Sequence, residues 1–170
     1  MPDLSVDLVT EAADIEAVRA QCRDFVDWQI ETYPDWADAI RAYFAPARYD
    51  PVLVDLPRLH ARPAGGMLLA RLDGAPAGCV MWLLMAPGIA EVKRLFVAAN
   101  ARGAGAGTAL VGRMLEQARA DGYREMRLET ARFLESAQRL YAGLGFVVSD
   151  HVSDVPPEAR AAAIYMRRPL

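Results

Sequence analysis

Residues 91–118 limit what this chain can fold into more than any other stretch. An apolar, strand-like run, Glu91 to Val97, leads into Ala98-Ala99-Asn100-Ala101-Arg102-Gly103-Ala104-Gly105-Ala106-Gly107-Thr108. A helical pattern follows, with Leu110, Val111, Met114, Leu115 and Ala118 on one face. Strand must therefore pass into helix across three glycines. Lacking a Cβ, glycine leaves the neighbouring backbone N–H groups uncovered. The first N–H groups of a helix also lack partners within it and sit at the positive end of its dipole. The segment predicts a turn that binds phosphate.

Two common glycine loops do not fit. A nucleotide P-loop carries Lys and then Ser or Thr after its last glycine, whereas Gly107 is followed by Thr108 and Ala109. The dinucleotide fingerprint Gly-x-Gly-x-x-Gly is met at Gly103 and Gly105 but has Thr108 at its third glycine. That fingerprint also opens a first βαβ unit, and this loop lies past the middle of the chain.

A third pattern fits. Arg102-x-x-Gly105-x-Gly107 resembles the Arg/Gln-x-x-Gly-x-Gly/Ala loop of the GCN5-related N-acetyltransferase (GNAT) superfamily. Upstream, Glu91-Val92-Lys93-Arg94-Leu95-Phe96-Val97 resembles that family's strand before the loop. Downstream, Leu140-Tyr141-Ala142-Gly143-Leu144-Gly145-Phe146 resembles its Leu-Tyr-x-x-x-Gly-Phe segment. The three pieces follow the family's order and approximate spacing. The loop alone is a weak signal, and the three together are strong.

With 170 residues the chain is expected to form a single domain, 1–170, with a sizeable core. Its formal net charge of −3 gives no basic footprint for nucleic acid. No stretch approaches the ~20 apolar residues that cross a bilayer. Asp3 and Asp7 near the start, with no basic residue before them, do not make a signal peptide. Cys22 and Cys79 fall in apolar patterns and read as reduced core residues. The expected location is cytoplasmic, with no membrane partner.

Local patterns predict a strand over Ser5–Thr10 and a helix with Ile15, Val18, Cys22, Phe25, Val26 and Ile30 on one face, capped by Asp14. Pro34 interrupts it. Asp35 is expected to cap a second helix carrying Trp36, Ile40, Tyr43 and Phe44. Residues 45–65, with four prolines and Gly65, read as irregular, with one short helical turn near Leu56–His60. Strands over Met67–Leu72 and Ala77–Leu84 meet at Asp73-Gly74, a hairpin signal, and Pro87-Gly88 turns into the strand Ala90–Val97. After the glycine-loop helix, Gly122 suits its C-terminal end. A strand over Glu125–Glu129, a helix over Ser136–Leu144 ended by Gly145, and strands over Phe146–Ser149 and Ala163–Arg167 complete the order. The fold class is α/β (α+β). The resemblance implies a mixed, mostly antiparallel twisted sheet of roughly six or seven strands, flanked by about four helices.

The resemblance also implies the chemistry: transfer of an acetyl group from acetyl-CoA to an amine of a small molecule or peptide, by direct attack, with no metal. No metal-ligand spacing surrounds His60 or His151, which read as loop histidines. Backbone N–H groups across Arg102, Gly103, Ala104, Gly105, Ala106, Gly107 and Thr108 would wrap the pyrophosphate. A backbone N–H at Val97, near Leu95 and Phe96, would polarise the thioester carbonyl, for which one aimed donor is worth roughly 3 kcal/mol. An alkyl amine near pKa ~10 is mostly protonated at pH 7, a penalty of about 4 kcal/mol. Glu91, at the start of the same strand, is the expected base. It reads equally as a strand-end carboxylate paired with Lys93 or Arg127. Tyr141 is expected to protonate the departing thiolate, and reads otherwise as a core tyrosine. Leu134 stands where many relatives carry an Asn, with Ser136 and Gln138 as nearby polar groups. Trp28, Trp36, Trp82 and Tyr33 read as core or acceptor-pocket walls. An alternative is an acetyl-CoA-binding sensor without turnover. A homodimer through sheet edges is compatible with the sequence.

Overall fold

Asp73 and Gly74 both take positive φ, 50° and 81°, the pair a two-residue hairpin turn requires. They join β2 (Gly66–Leu72) to β3 (Ala75–Ala86), as the dipeptide predicts. The structure, a computed structural model, describes residues 1–170. β1 (Leu4–Leu8) lies outside β2, and β4 (Ile89–Val97) returns along β3 after the Gly88 turn. The sheet is completed by β5 (Glu125–Ala131), β6 (Val147–Val148) and β7 (Ala163–Pro169), in the order β1-β2-β3-β4-β5-β7-β6. Only β4 and β5 run parallel. The helix between them, α5 (Ala106–Ala120), makes that crossover and ends at Asp121, with Gly122 at φ 90° just beyond.

Helices cover both faces. On one, α5 and α6 (Glu135–Gly143) enclose Leu68, Val80, Trp82, Val92, Leu110, Met114, Met126 and Leu128. On the other, α1 (Ala12–Thr32) packs with Val18 and Cys22 over Leu69, Cys79, Met81 and Phe96. β2 is buried on both sides, which is why its Met-Leu-Leu-Ala run is continuously apolar. Cys22 and Cys79 are free thiols in the same cluster. No helix is long and apolar enough to cross a membrane.

Four local expectations change. Asp14 does not cap α1; Glu11 holds that position, and the Asp14 carboxylate pairs with Arg71 of β2. Asp35 lies in a 3-10 turn, Pro34–Trp36, and α2 (Ala37–Tyr43) starts without a side-chain cap. Residues 45–65 contain two helices, α3 (Pro46–Val54) and α4 (Leu56–Leu59). Pro46 and Pro57 sit in first turns, where a missing N–H is harmless and a fixed φ suits a helix. Only Pro51 lies inside a helix, where Tyr49 and Leu53 are buried on either side of it. His60 is buried rather than on a loop surface. Its Nδ1–H donates to the Trp82 carbonyl at 2.8 Å, and burial lowers its pKa to about 4, so it is neutral.

The joint between β4 and β5 positions everything that follows. Cys79 pairs with Phe96 and Met81 with Lys93, so Arg94 and Leu95 together face Val80. Arg94 takes φ 53° in this bulge. Pairing of β4 with β5 runs from Ile89 and Glu125 to Val92 and Leu128 and stops there.

Candidate active site

Past Val92 and Leu128, residues Lys93 to Val97 on one strand and Glu129 to Ala131 on the other line a cavity of about 760 Å³. α1, α2 and α6 supply its walls through Trp28, Tyr43, Leu140 and Tyr141, and Phe133 closes another side. Tyr33 and Trp36 pack against Phe133 with ring centroids 5.0 and 5.3 Å apart, and Trp28 meets Tyr33 at 5.7 Å. Trp28 and Tyr33 are therefore pocket walls. Trp36 buttresses one, and Trp82 is core beneath Gly66.

The glycine loop lies at the β4 end of this cavity. After a 3-10 turn, Ala99–Ala101, Gly103 and Gly105 take φ 83° and 82°, which only glycine adopts without strain. Gly105 forms the N-terminal boundary of α5. The N–H groups of Gly103, Gly105, Ala106, Gly107 and Thr108 reach no backbone carbonyl, while Ala104 N–H donates to Ala101. A Cβ at Gly103 or Gly105 would meet nothing within 4 Å, so both positions are open. At Gly107 it would approach Leu140 Cδ2 at 3.1 Å, which ties the loop to α6. Arg102 turns back: its Nε donates to the Val97 carbonyl at 3.3 Å and its guanidinium stacks over Trp28 at 4.5 Å. Leu95, Phe96, Val97, Arg102 and Tyr141 line the cavity; Gly103 to Thr108 stand beside it.

Glu91 does not line the cavity. It is buried, and Lys93 Nζ donates to its Oε1 at 2.9 Å. Arg127 pairs with Glu125 instead. Two carboxylates line the cavity: Asp154, which is exposed, and the half-buried Glu129, which sequence reasoning missed. Burial raises its pKa to about 6; Glu91 raises it further, while Lys93, the Tyr43 hydroxyl and Ser153 oppose that rise. Tyr43 Oη donates to Glu129 Oε2 at 3.5 Å. A signal existed: alternation along β5 puts Glu125, Arg127 and Glu129 on the face opposite Met126 and Leu128. Tyr141 is buried, edge-on to Phe146 at 5.5 Å, and burial raises its hydroxyl pKa well above the ordinary range. It is thus held protonated at neutral pH. Leu134 lines the cavity, and Gln138 is engaged with the carbonyls of Ala131 and Arg132 at 2.9 and 3.2 Å.

A splayed parallel strand pair, a glycine loop of free N–H groups at a helix start and a buried tyrosine define a class, the acetyl-CoA-dependent acetyltransferases. The chain belongs to the acetyltransferase (GNAT) family, whose model matches residues 20–146. Members of that family use acetyl-CoA as acetyl donor to an amine. It is similar to an IAA acetyltransferase of Azospirillum brasilense, 34% identical over 119 residues, 69% of this chain and 76% of that protein. It is also similar to an uncharacterized N-acetyltransferase of Schizosaccharomyces pombe, 36% identical over 103 residues. That match spans 59% of this chain and 63% of the relative, less than two thirds of its length. The fold superposes on the PaiA N-acetyltransferase of Thermoplasma acidophilum, solved in complex with coenzyme A, with TM-score 0.73 over 99% of each chain at 17% identity.

Proposed function

We propose that this chain acetylates an amine from acetyl-CoA, with Glu129 as proton acceptor and Tyr141 as proton donor. The observation that carries this reading is the set of five N–H groups without backbone partners beside a cavity that opens where β4 and β5 part. These residues fit acetyl-CoA. The bare N–H groups of Gly103 and Gly105 to Thr108 suit its pyrophosphate. The stretch Leu95 to Val97, unpaired with β5, suits its amide-bearing arm. When bound, the donor supplies a thioester, an acyl group already activated toward amines.

The residues of the chain do the rest. Glu129 faces the cavity with a pKa of about 6, so at neutral pH it is ionised and accepts a proton from an alkylammonium. The Glu91–Lys93 pair beside it keeps the local charge balanced. The backbone near Val97 offers a donor for charge developing on oxygen. Glu129 passes the alkylammonium proton to water. An N–C bond then forms as the C–S bond breaks. The second nitrogen proton passes to Glu129 and on to water, and the thiolate receives one from Tyr141, which regains a proton from water.

Calorimetry with acetyl-CoA, against ATP and NAD, tests the donor: selective micromolar binding is expected, and no binding by folded protein ends the reading. Glu129→Gln and Glu91→Gln then separate the two carboxylates. The first is expected to lower kcat by roughly 10² or more, the second by about tenfold or less. The reverse order would return the role of base to Glu91.

A further inference from the structure

Arg94 is a half-buried cation with no anion. Its side chain lines the cavity, and its guanidinium lies over the Tyr49 ring at 5.6 Å. Nη1 reaches only Met81 Sδ, at 3.8 Å, a weak acceptor. Nε is sealed from solvent and makes no hydrogen bond. Other charged groups near the sheet are satisfied: Lys93 pairs with Glu91, Arg127 with Glu125 and Arg71 with Asp14. The other cavity arginines have an outlet. Arg48 and Arg160 are exposed at the mouth, and Arg102 stacks on Trp28. A half-buried guanidinium whose sealed donor is idle is unfavourable unless an acceptor completes it. The bulge that holds Arg94 at φ 53° aims it there, and an arginine persists in that conformation only where its surroundings impose it.

Glu129 lies across the same cavity, and Tyr43 sits in the fields of both, donating to Glu129 while feeling the Arg94 charge. One cavity thus presents a carboxylate for an amine and a guanidinium for an acid, between aromatic walls of Trp28, Tyr33 and Phe133. We propose that the acceptor is a free amino acid with a large apolar or aromatic side chain, and that Arg94 binds its carboxylate. This rests on the acetyl-transfer reading above and adds the acceptor to it.

The test compares phenylalanine, phenylalanine amide and phenethylamine as acceptors, following thiol release and product mass. The wild-type kcat/KM is expected to be about 100-fold higher for phenylalanine than for either analogue, as a site built for a charged group rejects ligands lacking it. Arg94→Gln should lose about 100-fold on phenylalanine, mostly through KM, and stay within about threefold on phenethylamine. Arg94→Lys should recover part of the loss. Equal use of phenylalanine and its amide by the wild type overturns the inference, as does an equal loss on all three in Arg94→Gln. If Arg94→Gln does not fold, the wild-type comparison decides alone. Acetyl-CoA binding without turnover of any of the twenty amino acids sinks the acceptor class and leaves the donor site standing. No acetyl-CoA binding sinks both.

Discussion

The two halves of the cavity are made of different material. The half proposed for the donor is backbone: bare N–H groups, two glycines at positive φ and a strand left without its neighbour. The half proposed for the acceptor is side chain: aromatic rings on α1 and α2, Phe133 after β5, and the charges of Lys93, Arg94 and Glu129 on two strands. Backbone sites need particular residues at fixed spacing, because only some residues leave the main chain free. Side-chain sites need only groups that meet in space, and many sequences supply them. The donor half therefore carries a motif and the acceptor half does not.

Variants should split along the same line. The largest effect is expected from Gly105→Glu, where a carboxylate would stand among the free N–H groups; nothing lies within 4 Å of its Cβ, though φ 82° strains any side chain there. Acetyl-CoA affinity should fall by about 100-fold or more from like-charge repulsion and the strained loop backbone together, with the far-ultraviolet spectrum unchanged. Retained binding would remove the loop from the site. Tyr141→Phe should lower kcat by roughly 10–10² and leave acetyl-CoA affinity as it was. An unchanged kcat across pH would leave Tyr141 a core residue only. Phe133→Ala should raise acceptor KM by about tenfold through lost aromatic contact, again with unaltered acetyl-CoA affinity. If donor affinity fell as well, the two halves would not be separable.

The smallest expected effect is on stability and has the opposite sign to the loss of activity. Glu129 has its pKa raised from 4.5 to about 6 in the fold. Its contribution is therefore most favourable below the ordinary carboxyl range and is lost as pH rises through about 6. Glu129→Gln should make the protein about 1–2 kcal/mol more stable at pH 7.5, and close to wild type at pH 4, by denaturant unfolding. The same substitution should erase an activity limb near pH 6. Equal stability at both pH values would place Glu129 in open water and weaken its assignment as base.

What the sequence made readable was local. Asp73-Gly74, Gly122, Gly145 and the β4–α5 loop act within a few residues of themselves, and their roles follow from backbone geometry. What stayed hidden depends on partners distant in the chain. Residues 45–65 read as irregular because prolines break helices, yet Pro46 and Pro57 stand at helix starts that only burial of Leu53 and Leu56 against the sheet makes worthwhile. Glu129 could be placed on a strand face, but the identity of that face depends on β4 lying beside β5 with a helix between them in sequence. Arg94 sits in a run that reads as plain strand. The irregularity that turns it is a property of pairing with β3, and no residue in the run announces it.

The end of the β4–β5 ladder at Val92 and Leu128 has one more consequence. Exposed strand edges invite other polypeptides, and proteins usually blunt them at the border of a sheet. Here an edge is opened in the middle of the sheet, and the freed stretches of both strands line the cavity. The proposed donor has an amide-bearing arm whose groups match the vacant ladder positions. On that reading the adhesive property of a sheet edge is turned inward, toward a small molecule in the cavity, and not outward along the border of the sheet.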